Sequence, residues 1–235
     1  MTDLRVYPDV ESLARAVAEH FVSLAEKAIA AQGQFNVALS GGSTPRATYA
    51  LLADGELAAK VNWPRVHVFW GDERCVPSDH PDSNYRMARE TLLDQVPILP
   101  RNIHFMRGEL PPQRAAAAYR AELEAILGPG GRLDLILLGI GTDGHTASLF
   151  PGNTALEERE QSVVAVYVER LDSWRVTLTL PTINAARQAT FLVSGPAKAK
   201  TLARIHAGER LPAALVHPSP GRLTWMVDRD AAGEA

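Results

Sequence analysis

Four short apolar runs limit what this chain can fold into: Phe35 to Leu39, Val66 to Trp70, Leu133 to Ile140 and Ala189 to Val193, each bounded by Gly, Pro or polar residues. Runs of this length, apolar on both alternating faces, read as strands buried on two sides. Stretches with helical spacing lie between them, at about 45–54, 83–94, 112–127 and 198–207. A longer amphipathic helix is expected from Val10 to Ala31, where Val10, Leu13, Ala14, Val17, Phe21, Leu24 and Ala28 recur at mostly three- and four-residue steps before Gly33 stops it. Strands alternating with helices predict an α/β domain with a mostly parallel sheet. Val163 to Val168 and Arg175 to Leu180 follow one another without a helix and predict a small antiparallel addition, and Leu223 to Val227 an edge strand.

At 235 residues the chain is expected to form a single domain over 1–235, because one hydrophobic core can grow to about 250 residues before chains tend to split. A hydrophobic fraction of 46% and a charged fraction of 22% are those of an ordinary globular protein. The formal net charge of -3 gives no global attraction to nucleic acid or anionic lipid, so neither is expected as a partner and anion recognition has to be local. The one cysteine, Cys75, excludes an internal disulfide and suits a reducing compartment. The N-terminus, Met1 to Arg5, has no basic region followed by an apolar stretch, and no apolar run approaches the roughly 20 residues that span a bilayer. A cytoplasmic protein is expected.

Ligands of an open α/β sheet bind beyond the carboxyl ends of its strands, so the loops that follow the four runs are the places to look. The first is Ser40-Gly41-Gly42-Ser43-Thr44-Pro45. Glycines admit an anion close to the backbone, Thr44 can cap the following helix and Pro45 suits its first position, an arrangement that holds a phosphate or simply makes a well-capped turn. It lacks the lysine of a nucleotide-binding P-loop, which favours a phosphate monoester. The second loop carries three adjacent charges, Asp72, Glu73 and Arg74, of which two can face a ligand because neighbouring residues diverge. Ser83-Asn84-Tyr85-Arg86 opens another helix with Ser83 as cap. The third, Gly139-Ile140-Gly141-Thr142-Asp143-Gly144-His145, formally matches the dinucleotide fingerprint, but that motif needs a helix running on from its last glycine and Pro151-Gly152 interrupts the chain at once. An Asp and a His two residues apart in a glycine-rich loop remain, and His145 is a general-base candidate. The fourth, Ser194-Gly195-Pro196-Ala197-Lys198, sets Lys198 at a helix start, against the helix dipole unless an anion lies nearby. Arg175 is a cation on a strand otherwise made for burial.

Taken together, Leu39 to Pro45, Trp70 to Arg74, Ser83 to Tyr85, Gly139 to Pro151, Arg175 to Pro181 and Leu211 to Ala214 resemble the 6-phosphogluconolactonases of the pentose phosphate pathway, within the wider glucosamine-6-phosphate isomerase superfamily. The resemblance implies a Rossmann-like open, mostly parallel sheet flanked by helices, no cofactor, and hydrolysis of 6-phosphoglucono-1,5-lactone to 6-phosphogluconate; no metal is expected, and a monomer or weak homodimer is. It implies that Gly41, Gly42, Ser43, Thr44 and Lys198 grip the phosphate and that His145 is the base. Asp72, Arg74, Asp143 and Arg175 would line the sugar end, with Asp143 or Asp72 orienting the imidazole and Arg74, Arg175 or loop N–H groups meeting the oxyanion.

Two other readings compete. The sister activity, deamination and isomerisation of glucosamine 6-phosphate, would use the same phosphate loop, but its enzymes resemble this chain less at Arg74 and over Thr146 to Phe150, where their acidic partner for ring opening is missing. A non-catalytic sugar-phosphate-binding module would need a partner domain such as a DNA reader, and no residues are left over for one. Asp143 and His145 are also metal-ligand types, yet the other histidines show no short ligand spacing to join them.

Overall fold

The computed structural model describes residues 3–128 and 130–233. In chain order the elements are β1 (Asp3–Tyr7), α1 (Val10–Gln32), β2 (Phe35–Leu39), α2 (Ser43–Ala53), α3 (Gly55–Ala58), β3 (Val66–Trp70), β4 (Asp72–Arg74), α4 (Asn84–Ala88), α5 (Pro112–Leu127), β5 (Leu135–Leu138), β6 (Val163–Val168), β7 (Ser173–Leu178), α6 (Leu180–Ala185), β8 (Gln188–Val193), α7 (Ala199–His206), β9 (Arg222–Asp228) and α8 (Arg229–Ala232). Local chemistry sets the ends of α1. The Asp9 carboxylate accepts from Ser12 N at 2.7 Å, and Gly33 closes the helix in the left-handed region at φ 81°.

Six strands pair in the order β1-β9-β8-β5-β2-β3, all parallel, and β4-β7-β6 form a small antiparallel sheet beside them. The expected Rossmann-like sheet flanked by helices, with an antiparallel addition, is what the chain builds. The apolar runs become β2, β3, β5 and β8, and every residue of β2, β5 and β8 is buried. The third run is shorter than expected because Asp134 leaves the strand pattern: its carboxylate accepts from Asn36 N at 2.8 Å and binds Gln32 and Arg187.

Three expectations are corrected. Leu223 to Val227 is no edge strand, since β9 lies between β8 and β1, and the edge is β1, which went unnoticed because Leu4 and Val6 alternate with polar neighbours and stay exposed. The strand expected from Arg175 to Leu180 runs from Ser173 to Leu178, because Pro181 places Leu180 in the first turn of α6. The helix expected over 83–94 is the short α4 continued by a π-turn, Arg89–Leu93.

Two buried tyrosines fix where β2 and β3 stop. Tyr49 of α2 donates to Ser40 O at 2.9 Å and accepts from Ser40 N at 3.0 Å, and Tyr119 of α5 makes the same pair of bonds with Trp70 at 3.1 and 2.8 Å. Each phenol satisfies a backbone N–H and C=O that the sheet does not use. Burial pushes both hydroxyl pKa values up, so they stay protonated donors. No helix among the described residues is long and apolar enough to cross a membrane. Tyr49→Phe keeps the ring volume and removes both bonds. Urea unfolding should show a loss of about 1–3 kcal/mol, the cost of leaving buried backbone groups unpaired.

Candidate active site

The chain leaves β2 for β3 on one side and later places β5 on the other, so the strand order reverses between β2 and β5. A reversal of this kind opens a crevice at the carboxyl ends of the two strands. A cavity of about 170 Å³ lies there, walled by Gly41 and Gly42 after β2, Asp72 and Arg74 of β4, Asn84 of α4, and His145 and Ala147 from the loop after β5.

His145 is held from three directions. Its Nδ1 lies 2.6 Å from Asp143 Oδ1, and since a carboxylate only accepts, Nδ1 is the protonated nitrogen of the neutral ring, the tautomer in which Nε2 keeps its lone pair. The ring stacks on Phe150 at 4.2 Å between centroids. Gly141 lies against it so closely that a Cβ there would fall 2.0 Å from Nδ1, and Gly144 makes the turn at φ 84° against the side chain of Leu211. Ala147, a wall residue, is held at φ 46°, a conformation that costs an alanine free energy and concentrates at functional loops. Of the two carboxylates expected to orient the ring, Asp143 is the one hydrogen-bonded to it, and Asp72 binds Ser148 instead. Burial works to raise its pKa but is outweighed by the hydrogen bond and charge of His145 and by Arg170, so the carboxyl stays below its usual range.

Asp72 does other work. Its Oδ2 accepts from Ser148 Oγ at 2.7 Å, and Asn84 Nδ2 donates to its backbone carbonyl at 3.0 Å. Two of the three adjacent charges, Asp72 and Arg74, line the cavity. The third, Glu73, is buried and accepts from Arg74 N, Asn84 N, Tyr85 N and Ser83 Oγ at 2.8 to 3.0 Å, fastening the start of α4 to β4. Its pKa is raised by burial and drawn back by those backbone donors. Ser83 caps α4 as expected, accepting from Arg86 N.

Arg74 and Arg175 are directly opposed in the β4–β7 register. Like charges across a strand pair repel, and Arg175 Nε is buried without a partner among the described residues. Burial and Arg74 together lower the Arg175 pKa. Arg74 spends one N–H on Asp82 O at 2.5 Å. Arg175 forms no ion pair among the described residues.

Thr44 is not the cap of α2. Gly42 takes that place without any side-chain bond, and Thr44, one residue inside the helix, instead shares a hydrogen bond of 2.6 Å with Ser194 Oγ. That bond ties the glycine loop to the loop 194–198, where Lys198 ends a 3-10 turn just ahead of α7. Ser43 is exposed at the helix start, and Lys198 is not part of the cavity wall. Sequence reasoning missed Arg170, whose Nη2 lies 2.9 Å from Asp143 Oδ2. Nothing in the spacing joins an arginine in a polar turn to a loop so far upstream. Cys75 is half-buried with its thiol pKa pushed up to about 11 by burial. The described residues hold no group of three His, Cys, Asp or Glu placed to bind a metal ion. Glu73→Ala would orphan four donors at once, and urea unfolding should register a loss of about 3 kcal/mol or more.

The family described as glucosamine-6-phosphate isomerases/6-phosphogluconolactonase matches residues 8–225. A 6-phosphogluconolactonase of Synechocystis sp. is 45% identical over 87% of this chain and 86% of its own length. The structure of a protein called devB superposes with a TM-score of 0.91 at 34% identity, covering 100% of this chain and 99% of that one. A 6-phosphogluconolactonase from Thermotoga maritima gives 0.86 at 30% identity, with 97% and 100% covered. On its sequence and its fold alike, the chain belongs to the glucosamine-6-phosphate isomerase/6-phosphogluconolactonase family.

Proposed function

We propose that this chain, acting as one domain over 1–235, hydrolyses 6-phospho-D-glucono-1,5-lactone to 6-phosphogluconate, with His145 as the base that activates water. The observation that carries the reading is the Asp143–His145 bond of 2.6 Å on a residue that walls the same cavity as Gly41, Gly42 and Arg74. The names of the relatives supply the substrate.

A lactone carbonyl is already electrophilic, so the enzyme needs a placed water, a base and donors where negative charge develops. The lone pair on His145 Nε2 takes a proton from water as its oxygen attacks C1. Asp143 steadies the imidazolium that forms. Arg74, with N–H groups beyond the one bonded to Asp82, meets the oxyanion, and Arg175 behind it adds positive charge. On collapse, His145 returns the proton to the departing ring oxygen. The phosphate is assigned to the N–H groups of Gly42, Ser43 and Thr44 at a helix start with no side-chain cap, and Lys198 approaches through the loop that Thr44 holds. Asp72, fixed by Ser148 and Asn84, lines the sugar end. The substrate is a diffusible small molecule met in the cytoplasm by a monomer or weak homodimer, and the net charge of -3 keeps polyanions away.

Acid release from freshly made 6-phosphogluconolactone, followed at constant pH, tests this directly. A general base contributes about 10² to 10⁴ in rate, so His145→Ala should lose at least about 100-fold in kcat while KM changes little. Unphosphorylated gluconolactone should be turned over far more slowly. Equal rates on the two lactones would contradict the roles of Gly42, Ser43 and Lys198, and ammonia release from glucosamine 6-phosphate would favour the isomerase reading.

A further inference from the structure

Arg170 belongs to an exposed turn, Glu169–Leu171, that joins β6 to β7, and the residues around it face solvent. Its own guanidinium folds back onto the site. Nη2 reaches Asp143 Oδ2 at 2.9 Å, and the group lies 4.8 Å from the centre of the Phe150 ring. His145 stacks on that same ring and holds the other oxygen of the same carboxylate. Its Nδ1 is 3.5 Å from Arg170 Nη2, too far for a hydrogen bond, and both atoms bear protons. Imidazole, carboxylate and guanidinium therefore form a chain over one aromatic face. Among the described residues, Asp143 has no other side-chain partners.

The carboxylate of an Asp turns easily about its last torsion, which is broad and two-fold. With only Oδ1 engaged, by His145 Nδ1 and more weakly by His145 N at 3.2 Å, it can still rotate off Nδ1 and release the imidazole to either tautomer. Engagement of Oδ2 by a planar donor removes that freedom. We propose that Arg170 is a positioning residue for His145: by holding Asp143 it fixes the tautomer that leaves Nε2 free to act as base. This rests on the reading of His145 as the base. The charged groups around His145 are Asp143 on its own loop, Arg170 from the β6–β7 turn, and Asp72 and Arg74 of β4 across the cavity. Of these, Arg170 is the cation on the Asp143 side. Its removal leaves Asp143 free to attract a proton onto the imidazole, which disables a base at low pH.

The test compares Arg170→Met, which keeps an apolar stem on Phe150, with Arg170→Lys, which keeps the charge. Arg170→Met should lower kcat by about tenfold, within the span that a misoriented base can lose, with KM nearly unchanged. The acid limb of the rate profile should move to higher pH. In the free protein, the low-field proton signal of His145 Nδ1–H should broaden or vanish, and Arg170→Lys should restore part of both. Wild-type kcat, pH profile and Nδ1–H signal in Arg170→Met would overturn the proposal and leave Arg170 as a staple for its turn. A raised KM with unchanged kcat would also overturn it, by making Arg170 a substrate contact. The proton signal is read without substrate, so a failure of the lactone assignment would show separately, as a wild-type protein with the signal and no lactone turnover.

Discussion

Parallel pairing of β2 with β3 on one side and β5 on the other is the constraint on which the rest of the structure depends. Parallel strands send every following loop to the same edge of the sheet, and the reversal of strand order between β2 and β5 leaves a crevice there that no crossover covers. The glycine loop after β2 and the His145 loop after β5 must therefore meet, although residues 41 and 145 are far apart in the chain. Tyr49 and Tyr119 end β2 and β3 at fixed residues, and Glu73 fastens α4 so that Asn84 reaches the crevice. Buried hydrogen bonds of this kind contribute little net stability each and cost much when broken. Their value here is geometric.

The cavity is built around charge that lacks full compensation. Arg74 and Arg175 oppose one another across β4 and β7, Arg175 Nε is buried without a partner among the described residues, and α2 begins without a side-chain cap. Each of these is an unfavourable arrangement that an anionic ligand would relieve. The acidic groups are already committed, Asp72 to Ser148 and Asn84, Asp143 to His145 and Arg170, and Glu73 to four donors. Such a site suits a substrate carrying a phosphate and developing negative charge at a carbonyl.

Much of the fold was legible in the sequence because the buried runs are short and almost purely apolar: β2 and β3 fall on the expected residues. Proline and glycine after His145 were enough to reject a dinucleotide site, and no helix follows Gly144 before the 3-10 turn at Thr154. What escaped was whatever tertiary contact alone decides. β1 is exposed over Asp3 to Val6 and gains its place mainly by pairing with β9. Thr44 has the composition of a cap, yet its hydroxyl turns to Ser194, a partner 150 residues away. Arg170 resembles any charged turn residue until folding sets it on Phe150. Which of Asp143 and Asp72 hydrogen-bonds the His145 ring likewise needed distances.

The central claim, that one crevice holds the phosphate at the β2 loop and the carbonyl carbon at His145, is tested most directly by a crystal structure of the protein with 6-phosphogluconate. The account predicts the phosphate on the N–H groups of Gly42 to Thr44 with Lys198 turned toward it, and the carboxylate within hydrogen-bond reach of His145 Nε2 and Arg74. A sugar acid bound in the opposite direction, with its carboxylate at the glycine loop, or bound outside the crevice, would contradict it.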